Sequence, residues 1–451
     1  CQGIVILIFD KKIKLGVTGF SRTGKTVFIG ALSQALLTAD TWQSRRNLGP
    51  LSQFEPFERE TFTCASIRDD VHSDLPQFPF RNVRDSMAGT DARWPVPTEG
   101  ISHLVIQLDC TIPGKIWDHK KEVELDLIDY PGEWLADFPM LQQDYRTWSE
   151  QSLKRASQGQ RKKLSEPFFN ALNEVDPEND DEELIANLTE YWEQYIQQAA
   201  DSGLVLNQPG RLLRPDNLRH SPVLRLIPLP EKLNAGILGK KLESRFDKYK
   251  EKVITPFYKN YFSNIDRQIV LIDILRTLKL GEEAYNELLE AMRGVLEAFR
   301  YGKGGFFDWL KGHNTTHLLF AATKADHVVR GDRANLEKML QKMVRSIDDD
   351  NRLKSSVNHY RVMEIASVQA TEDRMTVKAP KREVLLGKPS GQESGAWDPG
   401  GLPLDLPPDW ATLGFEFYQF EPGDMQDAIN DGFPSINLGK ALNFLIGEDL
   451  M

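Results

Sequence analysis

The chain has 451 residues, of which 40% are hydrophobic and 27% are charged, and its formal net charge at pH 7 is −11. This length predicts two or three modules, and the composition is typical of a globular protein rather than a disordered one. The negative charge argues against attraction to nucleic acid or to an anionic membrane through bulk positive charge. Three cysteines at wide spacing predict no disulfide framework and no zinc site, which favours a reducing cytoplasm.

The first predicted elements are a strand, a glycine-rich turn and a helix. Apolar residues alternate from Ile13 to Val17 as in a strand, and those from Val27 to Leu37 recur with helical spacing. Between them, residues 19–26 read Gly-Phe-Ser-Arg-Thr-Gly-Lys-Thr and match the phosphate-binding pattern G-x-x-x-x-G-K-[ST]. The backbone N–H groups of such a loop and the following helix N-terminus favour bound phosphate. We therefore expect this chain to bind a nucleoside phosphate.

Within this loop, Lys25 is expected to reach the β- and γ-phosphates, and the Thr26 hydroxyl is expected to bind Mg²⁺. The predicted nucleotide-binding residues of the segment are Gly19, Ser21, Arg22, Thr23, Gly24, Lys25, Thr26 and Val27.

Residues 41–97 show no clear helical or strand period, and we interpret them as a first insertion that replaces a short loop. The insertion ends in Trp-Pro-Val-Pro, directly before Thr98 and the next predicted strand. We expect the Thr98 hydroxyl to close over Mg²⁺ and the γ-phosphate. The alternative interpretation is that this proline-framed loop is a rigid structural turn.

A hairpin follows. Residues 104–108 and 123–129 predict two strands separated by a Pro-Gly turn at residues 113–114. The second strand ends in Asp129-Tyr130-Pro131-Gly132, a D-x-x-G motif. Asp129 is expected to hold Mg²⁺ through water, and the Gly132 backbone N–H is expected to sense the γ-phosphate.

The segment 133–266 predicts mainly helices, including an amphipathic one from Leu184 to Ile196, and we interpret it as a second, larger insertion. A strand over 269–272 follows and ends on Asp273, a rival to Asp129 for the role of metal-binding carboxylate. No glycine follows Asp273 at the required spacing, so Asp129 is preferred.

Another apolar strand, residues 318–322, runs into Thr323-Lys324-Ala325-Asp326. This matches the guanine-reading pattern [NT]-K-x-D. The Asp326 carboxylate can accept two hydrogen bonds from the ring N–H and exocyclic amine of guanine, a pair of donors that adenine lacks. The pattern favours GTP over ATP. Downstream, Ser367 and Val368 occupy the place of a loop whose backbone N–H contacts the guanine carbonyl, although a plain strand-to-helix turn explains them nearly as well.

Together these signals predict an α/β fold with a mostly parallel central sheet and one antiparallel hairpin. We expect a Ras-like P-loop core over 1–132 and 267–378, interrupted by insertions at 41–97 and 133–266. The remaining residues, 379–451, are predicted to form a proline- and glycine-rich linker or mobile arm over 387–408 and a helix over 435–446 that docks on the core.

The motifs GFSRTGKT, DYPGE, TKAD and W-P-x-P-T, with the large helical segment after D-x-x-G, resemble the YcjX family of bacterial stress-associated P-loop proteins. The resemblance extends over nearly the whole chain. It implies a Ras-like GTPase core, binding of GTP or GDP with Mg²⁺, and a role in stress. Members of the family are commonly linked to a membrane protein, so a protein partner of that kind and a peripheral position at the inner membrane are open alternatives. A homodimer is also left open, because the sequence does not indicate whether a dimer forms.

Ras-type enzymes place glutamine after D-x-x-G to orient the attacking water, and here the position is Glu133. A carboxylate can accept a proton from water, but it is unfavourable beside the γ-phosphate unless its charge is neutralised. The loop also resembles the GLYRTGKS-type loop of guanylate-binding proteins, which implies that Arg22 acts as an arginine finger in cis. The alternative is that Arg22 pairs with a surface carboxylate. Arg93 is a weaker candidate for the finger.

Three functions are consistent with the sequence. The preferred one is a GTPase switch with slow intrinsic hydrolysis. The second is a nucleotide-stabilised scaffold that barely hydrolyses GTP, which is consistent with Glu133 in place of glutamine. The third is a small-molecule kinase or ATPase, which gives no reason for the motif over 323–326.

Overall fold

The computed structural model describes residues 11–41, 49–69, 74–114, 117–300, 315–348, 357–377, 380–406 and 410–451. The first ten residues of the predicted core, parts of the 41–97 segment and the end of the predicted linker lie outside these ranges. The strands are β1 (Lys11–Gly19), β2 (Phe62–Ile67), β3 (Ser102–Ile112), β4 (His119–Asp129), β5 (Arg267–Ile272), β6 (His317–Ala322), β7 (His359–Glu364), β8 (Glu372–Met375), β9 (Glu383–Pro389), β10 (Gly395–Trp397) and β11 (Phe420–Glu421).

The α-helices are α1 (Lys25–Leu37), α2 (Glu55–Glu58), α3 (Phe80–Met87), α4 (Tyr145–Ala156), α5 (Arg161–Asn173), α6 (Glu182–Asp201), α7 (Gly210–Leu213), α8 (Glu231–Asn234), α9 (Ile237–Tyr249), α10 (Thr255–Asn260), α11 (Ile274–Leu280), α12 (Glu282–Arg300), α13 (Arg333–Ile347), α14 (Ala428–Asp431) and α15 (Leu438–Ile446). An 11-residue 3₁₀ helix, Gly132–Gln142, directly follows β4 and Tyr130-Pro131. Shorter 3₁₀ turns include Asp216–Leu218 and Ala325–His327.

In the described part of the chain, seven strands form the main sheet in the order β2-β3-β4-β1-β5-β6-β7. The pairs from β4 to β7 are parallel, while β2 and β4 both pair antiparallel with β3. The predicted hairpin of β3 and β4 is confirmed. β5 and β6 are buried at every position, as expected for parallel strands covered on both faces.

Each face of the main sheet packs against its own layer. On one face, α1, α3 and α15 share a hydrophobic cluster with β1, β3 and alternate residues of β5 and β6. On the other face, the remaining residues of β5 and β6 pack with α12, α13 and the helices between β4 and β5. The described elements between β4 and β5 are all helical. Helices therefore cover both faces of the sheet. The carboxyl ends of its parallel strands lie along one edge, where ligands commonly bind in folds of this type.

The structure differs from the sequence prediction in two segments. The 41–97 segment contains β2, which the sequence analysis missed and which extends the sheet beside β3. The segment 387–408, predicted as a linker or mobile arm, instead includes the end of β9 and all of β10, and β9 pairs antiparallel with β8, β10 and β11 in a small second sheet. The predicted C-terminal helix begins at Leu438, three residues later than expected, and its apolar side is buried.

Among the described residues, no helix has both the length and the apolar character needed to cross a bilayer.

Candidate functional site

The glycine-rich loop lies between the end of β1 and the start of α1. Gly24 occupies the N-cap of α1 with φ 92°, a backbone conformation in which a side chain would be strained. The Lys25 ammonium donates a hydrogen bond of 2.6 Å to the carbonyl oxygen of Gly19, which brings it back across the loop. The Thr23 hydroxyl donates to the Phe20 carbonyl at 2.8 Å. The loop is therefore wrapped around the N-terminus of α1, as anion binding requires.

Three oxygen-bearing side chains meet beside this loop. The Thr98 hydroxyl donates to Asp129 Oδ2 at 2.6 Å and lies 3.2 Å from the Thr26 hydroxyl. Asp129 is 1% exposed, and its Oδ1 has no hydrogen-bond donor among the described residues. Burial raises the pKa of Asp129, while Lys25 and the Thr98 hydroxyl lower it.

A buried carboxylate oxygen without a donor, next to two hydroxyl groups, is a set that suits a hard cation such as Mg²⁺. The groups present therefore fit the metal that the sequence predicts at this position. Asp273, the rival carboxylate, is engaged elsewhere: it accepts from the Arg276 backbone N–H at 3.0 Å and from Lys324 Nζ at 2.5 Å.

The D-x-x-G segment packs directly on the glycine-rich loop. A Cβ added at Gly132 would lie 2.7 Å from the carbonyl carbon of Gly19 and 3.0 Å from the Phe20 nitrogen, so glycine is required for this close approach. The next residue, Glu133, is 5% exposed and accepts a 2.6 Å hydrogen bond from the Ser21 hydroxyl. Its other oxygen, Oε2, is buried and has no donor in the described part of the structure.

The predicted base-reading segment follows β6. Lys324 adopts a left-handed conformation with φ 64°, and Asp326 behind it is 2% exposed. Asp326 Oδ2 accepts a hydrogen bond of 2.9 Å from the Ala370 backbone N–H. Burial raises the pKa of Asp326 to about 6, against the lowering effect of that N–H. Burial also lowers the pKa of His327 to about 3, so His327 is neutral at pH 7 and its 3.6 Å contact with Asp326 is not an ion pair.

These segments line one cavity of about 380 Å³. Of the predicted site residues, those that line it are Ser21, Arg22, Thr23, Gly24, Lys25, Thr26, Val27, Thr98, Glu133, Thr323, Lys324, Asp326, Ser367 and Val368. Gly19, Asp129 and Gly132 are not among its lining residues: Gly19 and Asp129 are hydrogen-bonded to lining residues, and Gly132 packs against Gly19. Arg93 is exposed and does not line the cavity.

Arg22 lines the cavity, and so does the residue with which it pairs, Asp201. Its guanidinium lies 3.7 Å from the Asp201 carboxylate, and both side chains are 58% exposed. This arrangement matches the alternative interpretation, a surface ion pair.

Comparison with known proteins gives the family. Residues 13–450 match the model of the YcjX-like family. The chain belongs to the YcjX-like family. It is 33% identical over 464 residues to a protein of Escherichia coli (strain K12) named Ras-like GTPase YcjX, covering 98% of this chain and 96% of the relative. It is also 30% identical over 474 residues to a protein of the same name from Shewanella oneidensis (strain MR-1), covering 100% of this chain and 97% of that relative.

The sequence analysis missed several residues that line the cavity of this YcjX-like protein. These residues include Trp94, Gln197, Asp201, Arg214, His327, Gln419 and Phe420. Trp94 is held by a 2.8 Å hydrogen bond from its indole nitrogen to the Phe420 carbonyl, which joins the loop before Thr98 to the small second sheet. The Arg214 guanidinium donates to the Ser21 hydroxyl at 3.1 Å, across 193 residues of sequence. No local pattern marks Arg214, because it lies in a proline-rich connector.

Proposed function

We propose that this protein binds GTP with Mg²⁺, hydrolyses GTP slowly to GDP and phosphate, and acts as a molecular switch in a stress response. The observation that carries the proposal is that three segments distant in sequence, the loop of Lys25, the pair Thr98 and Asp129, and the base-reading Asp326, meet around one cavity. The printed name of both relatives, Ras-like GTPase, supports the same activity. The stress role rests on the family resemblance.

Each residue has a proposed task. Backbone N–H groups of residues 19–26 would surround the phosphates, and Lys25 would contact the β- and γ-phosphates. Thr26, Thr98 and Asp129 would hold Mg²⁺, which when bound neutralises charge on the phosphate oxygens. Gly132 would sense the γ-phosphate. Thr323, Lys324, Asp326, Ser367 and Val368 would surround the guanine, with Asp326 accepting two hydrogen bonds from it.

In the reaction, a water oxygen forms a bond to the γ-phosphorus. The bond from that phosphorus to the bridging oxygen breaks, and its electron pair stays on GDP. The attacking oxygen keeps one proton of the water, and the other proton passes to a second oxygen of the phosphate product. Glu133 lies beside the loop where this water would be, and as a carboxylate it cannot donate a hydrogen bond as glutamine does. Slow intrinsic hydrolysis is the expected result.

The same buried Glu133 favours a second candidate function, a nucleotide-stabilised scaffold with negligible turnover. Its unpartnered Oε2 places negative charge next to the expected position of the γ-phosphate. Single-turnover phosphate release separates the two functions, because a scaffold releases none on the time scale of hours.

We further propose that residues 1–132 and 267–378 form a Ras-like core and that the helices over 133–266 are an insertion in it. The proposed setting is the cytoplasm, with guanine nucleotide as ligand and a protein as partner. A membrane protein partner would place the chain at the inner membrane, and homodimerisation is a further alternative; sedimentation with GDP and with a GTP analogue tests the latter.

The proposed function is tested by isothermal titration with GTP, GDP and ATP analogues, in Mg²⁺ and in EDTA. We expect a clear preference for guanine nucleotides and a loss of triphosphate affinity in EDTA. The matched variant is Asp326→Asn, which should shift the preference towards xanthine nucleotides, because an amide can donate to the xanthine carbonyl where a carboxylate cannot. Equal affinity of the wild type for ATP and GTP would contradict the proposal.

A further inference from the structure

The Arg214 side chain enters the nucleotide cavity from the helical layer rather than from the sheet. Arg214 directly follows α7 and is half-buried among the cavity-lining residues. Its Nη2 donates to the Ser21 hydroxyl at 3.1 Å, and that hydroxyl in turn donates to Glu133 Oε1 at 2.6 Å. The Ser21 hydroxyl thus links a cation to a buried carboxylate, and that carboxylate belongs to the residue directly after Gly132, which is expected to sense the γ-phosphate.

The backbone that carries Arg214 is fixed on the D-x-x-G segment. The Trp134 indole donates to the Arg214 carbonyl at 3.0 Å. A Cβ added at Gly210 would lie 2.1 Å from the carbonyl oxygen of Glu133, and the Gly210 N–H donates to Asp137 at 2.8 Å. The position of Arg214 therefore follows any movement of the segment that begins at Gly132.

The same stretch of chain also touches the loop of Thr98. A Cβ at Gly100 would lie 2.6 Å from Asp216 Oδ1, two residues beyond Arg214. Close packing on both sides therefore places the stretch that carries Arg214 between the two loops that the proposed function assigns to the γ-phosphate and the metal. This is the placement that a positioned catalytic group needs.

The charges favour a phosphate partner for Arg214. The buried Glu133 carboxylate is unfavourable beside a triphosphate unless a cation compensates it, and Arg214 is the cation that reaches its hydrogen-bond partner. Guanidinium groups pair with phosphate through several N–H donors in a fixed plane. Arg22, by contrast, already pairs with a carboxylate, that of Asp201 at 3.7 Å, and both side chains are exposed.

We propose that Arg214 acts as an arginine finger in cis, donating to oxygens of the γ-phosphate as the bond to the bridging oxygen breaks. The Ser21 hydroxyl would retain Glu133 while the guanidinium turns to the phosphate. This inference rests on the proposed function, and it adds to it that the helical layer supplies the catalytic cation. A finger of this kind accelerates hydrolysis by about 10³–10⁵-fold.

The test compares wild type with Arg214→Ala, Arg214→Lys and Arg22→Ala. The matched control is Arg219→Ala, an exposed arginine in the same stretch that pairs with Glu99 at 3.7 Å and does not line the cavity. Three quantities are measured: GDP affinity, single-turnover GTP hydrolysis, and binding of the complex of GDP, Mg²⁺ and aluminium fluoride, which mimics the phosphoryl group in transfer. A merely structural role would not select against the fluoride complex.

We expect Arg214→Ala to keep GDP affinity within about threefold, to hydrolyse GTP about 10³-fold or more slowly, and to lose the fluoride complex, because charge in the transition state is no longer offset. Arg214→Lys should recover only a small part, and millimolar guanidinium should partly rescue Arg214→Ala. Arg219→Ala should behave as wild type.

Two results would overturn the inference while leaving the proposed function intact: hydrolysis by Arg214→Ala at the wild-type rate, or loss of the fluoride complex in Arg22→Ala but not in Arg214→Ala. If Arg214→Ala lost GDP binding, hydrolysis would be measured at saturating nucleotide with added guanidinium. No rescue of the hydrolysis rate by guanidinium, in either Arg214→Ala or Arg214→Lys, would count against a finger. A wild type that neither binds nor hydrolyses GTP would instead refute the proposed function.

Discussion

Lowering the pH should weaken GTP binding through Asp326. The guanine edge donates two hydrogen bonds, so only the ionised carboxylate serves as its acceptor. Burial raises the pKa of Asp326 to about 6 in the nucleotide-free protein. At that pKa about 99% of the groups are ionised at pH 8 and about 9% at pH 5, so the affinity should fall roughly tenfold, or about 1.4 kcal/mol. The sign follows from the bound state, in which guanine stabilises the charged form and lowers the pKa.

The assay is fluorescence titration with a GTP analogue between pH 8 and pH 5. The terminal phosphate titrates in the same range, so the Asp326→Asn variant is titrated in parallel. The variant lacks the carboxyl but shares the phosphate effect, and the ratio of the two dissociation constants isolates Asp326. His327, with a pKa of about 3, stays neutral throughout. The dissociation constant of Asp326→Asn divided by that of the wild type should fall about tenfold between pH 8 and pH 5. A ratio that does not depend on pH would refute this account of base recognition.

Two further substitutions test close packing and buried charge. Gly132→Ala places a Cβ 2.7 Å from the carbonyl carbon of Gly19. The displacement needed to relieve this overlap should weaken binding of a GTP analogue by about 1–3 kcal/mol, which is about 5- to 150-fold in affinity. Gly294→Ala, where the nearest atom lies 3.7 Å away, should leave binding unchanged, and titration of both variants checks this. Arg161→Ala removes a guanidinium that is 1% exposed and donates five hydrogen bonds, and it should lower the free energy of unfolding by about 3–5 kcal/mol. Arg155 pairs with Glu290 at 2.7 Å where the side chains are 24% and 56% exposed, so Arg155→Ala should cost at most about 1 kcal/mol. Equal urea midpoints for the two alanine variants would contradict this.

Local patterns predicted the elements whose signal is contained in a few neighbouring residues. The hairpin of β3 and β4 follows from two alternating runs around one turn, and the strand before Thr323 follows from a continuous apolar run. Three of the motifs were recognised because each follows the end of such a strand, namely β1, β4 or β6, whereas Thr98 was chosen for its place just before β3. Their common cavity follows from the parallel order of β4, β1, β5 and β6, which aligns the carboxyl ends. Their chemical roles stay predictions.

Features that depend on distant partners could not be predicted. β2 is short, holds small and polar residues such as Cys64 and Ser66, and becomes a strand only by pairing with β3 some 40 residues later. β9 ends in Gly-Lys-Pro, a sequence typical of a turn, yet three other strands pair with it. Arg214 has no pattern around it, and its place beside Ser21 is set by how the helical layer folds back.

Nine of the eleven residues from Gly132 to Gln142 are buried, so the segment that leaves the candidate site enters the interior of the helical layer directly. In many switch proteins the corresponding segment is exposed and is bound directly by the partner protein. Here the segment is mostly buried, so a partner could not bind it in that way. A conformational change on nucleotide binding would therefore have to be transmitted to the outer surfaces of the helices. Those surfaces, and not the rim of the cavity, are where a protein partner would detect it.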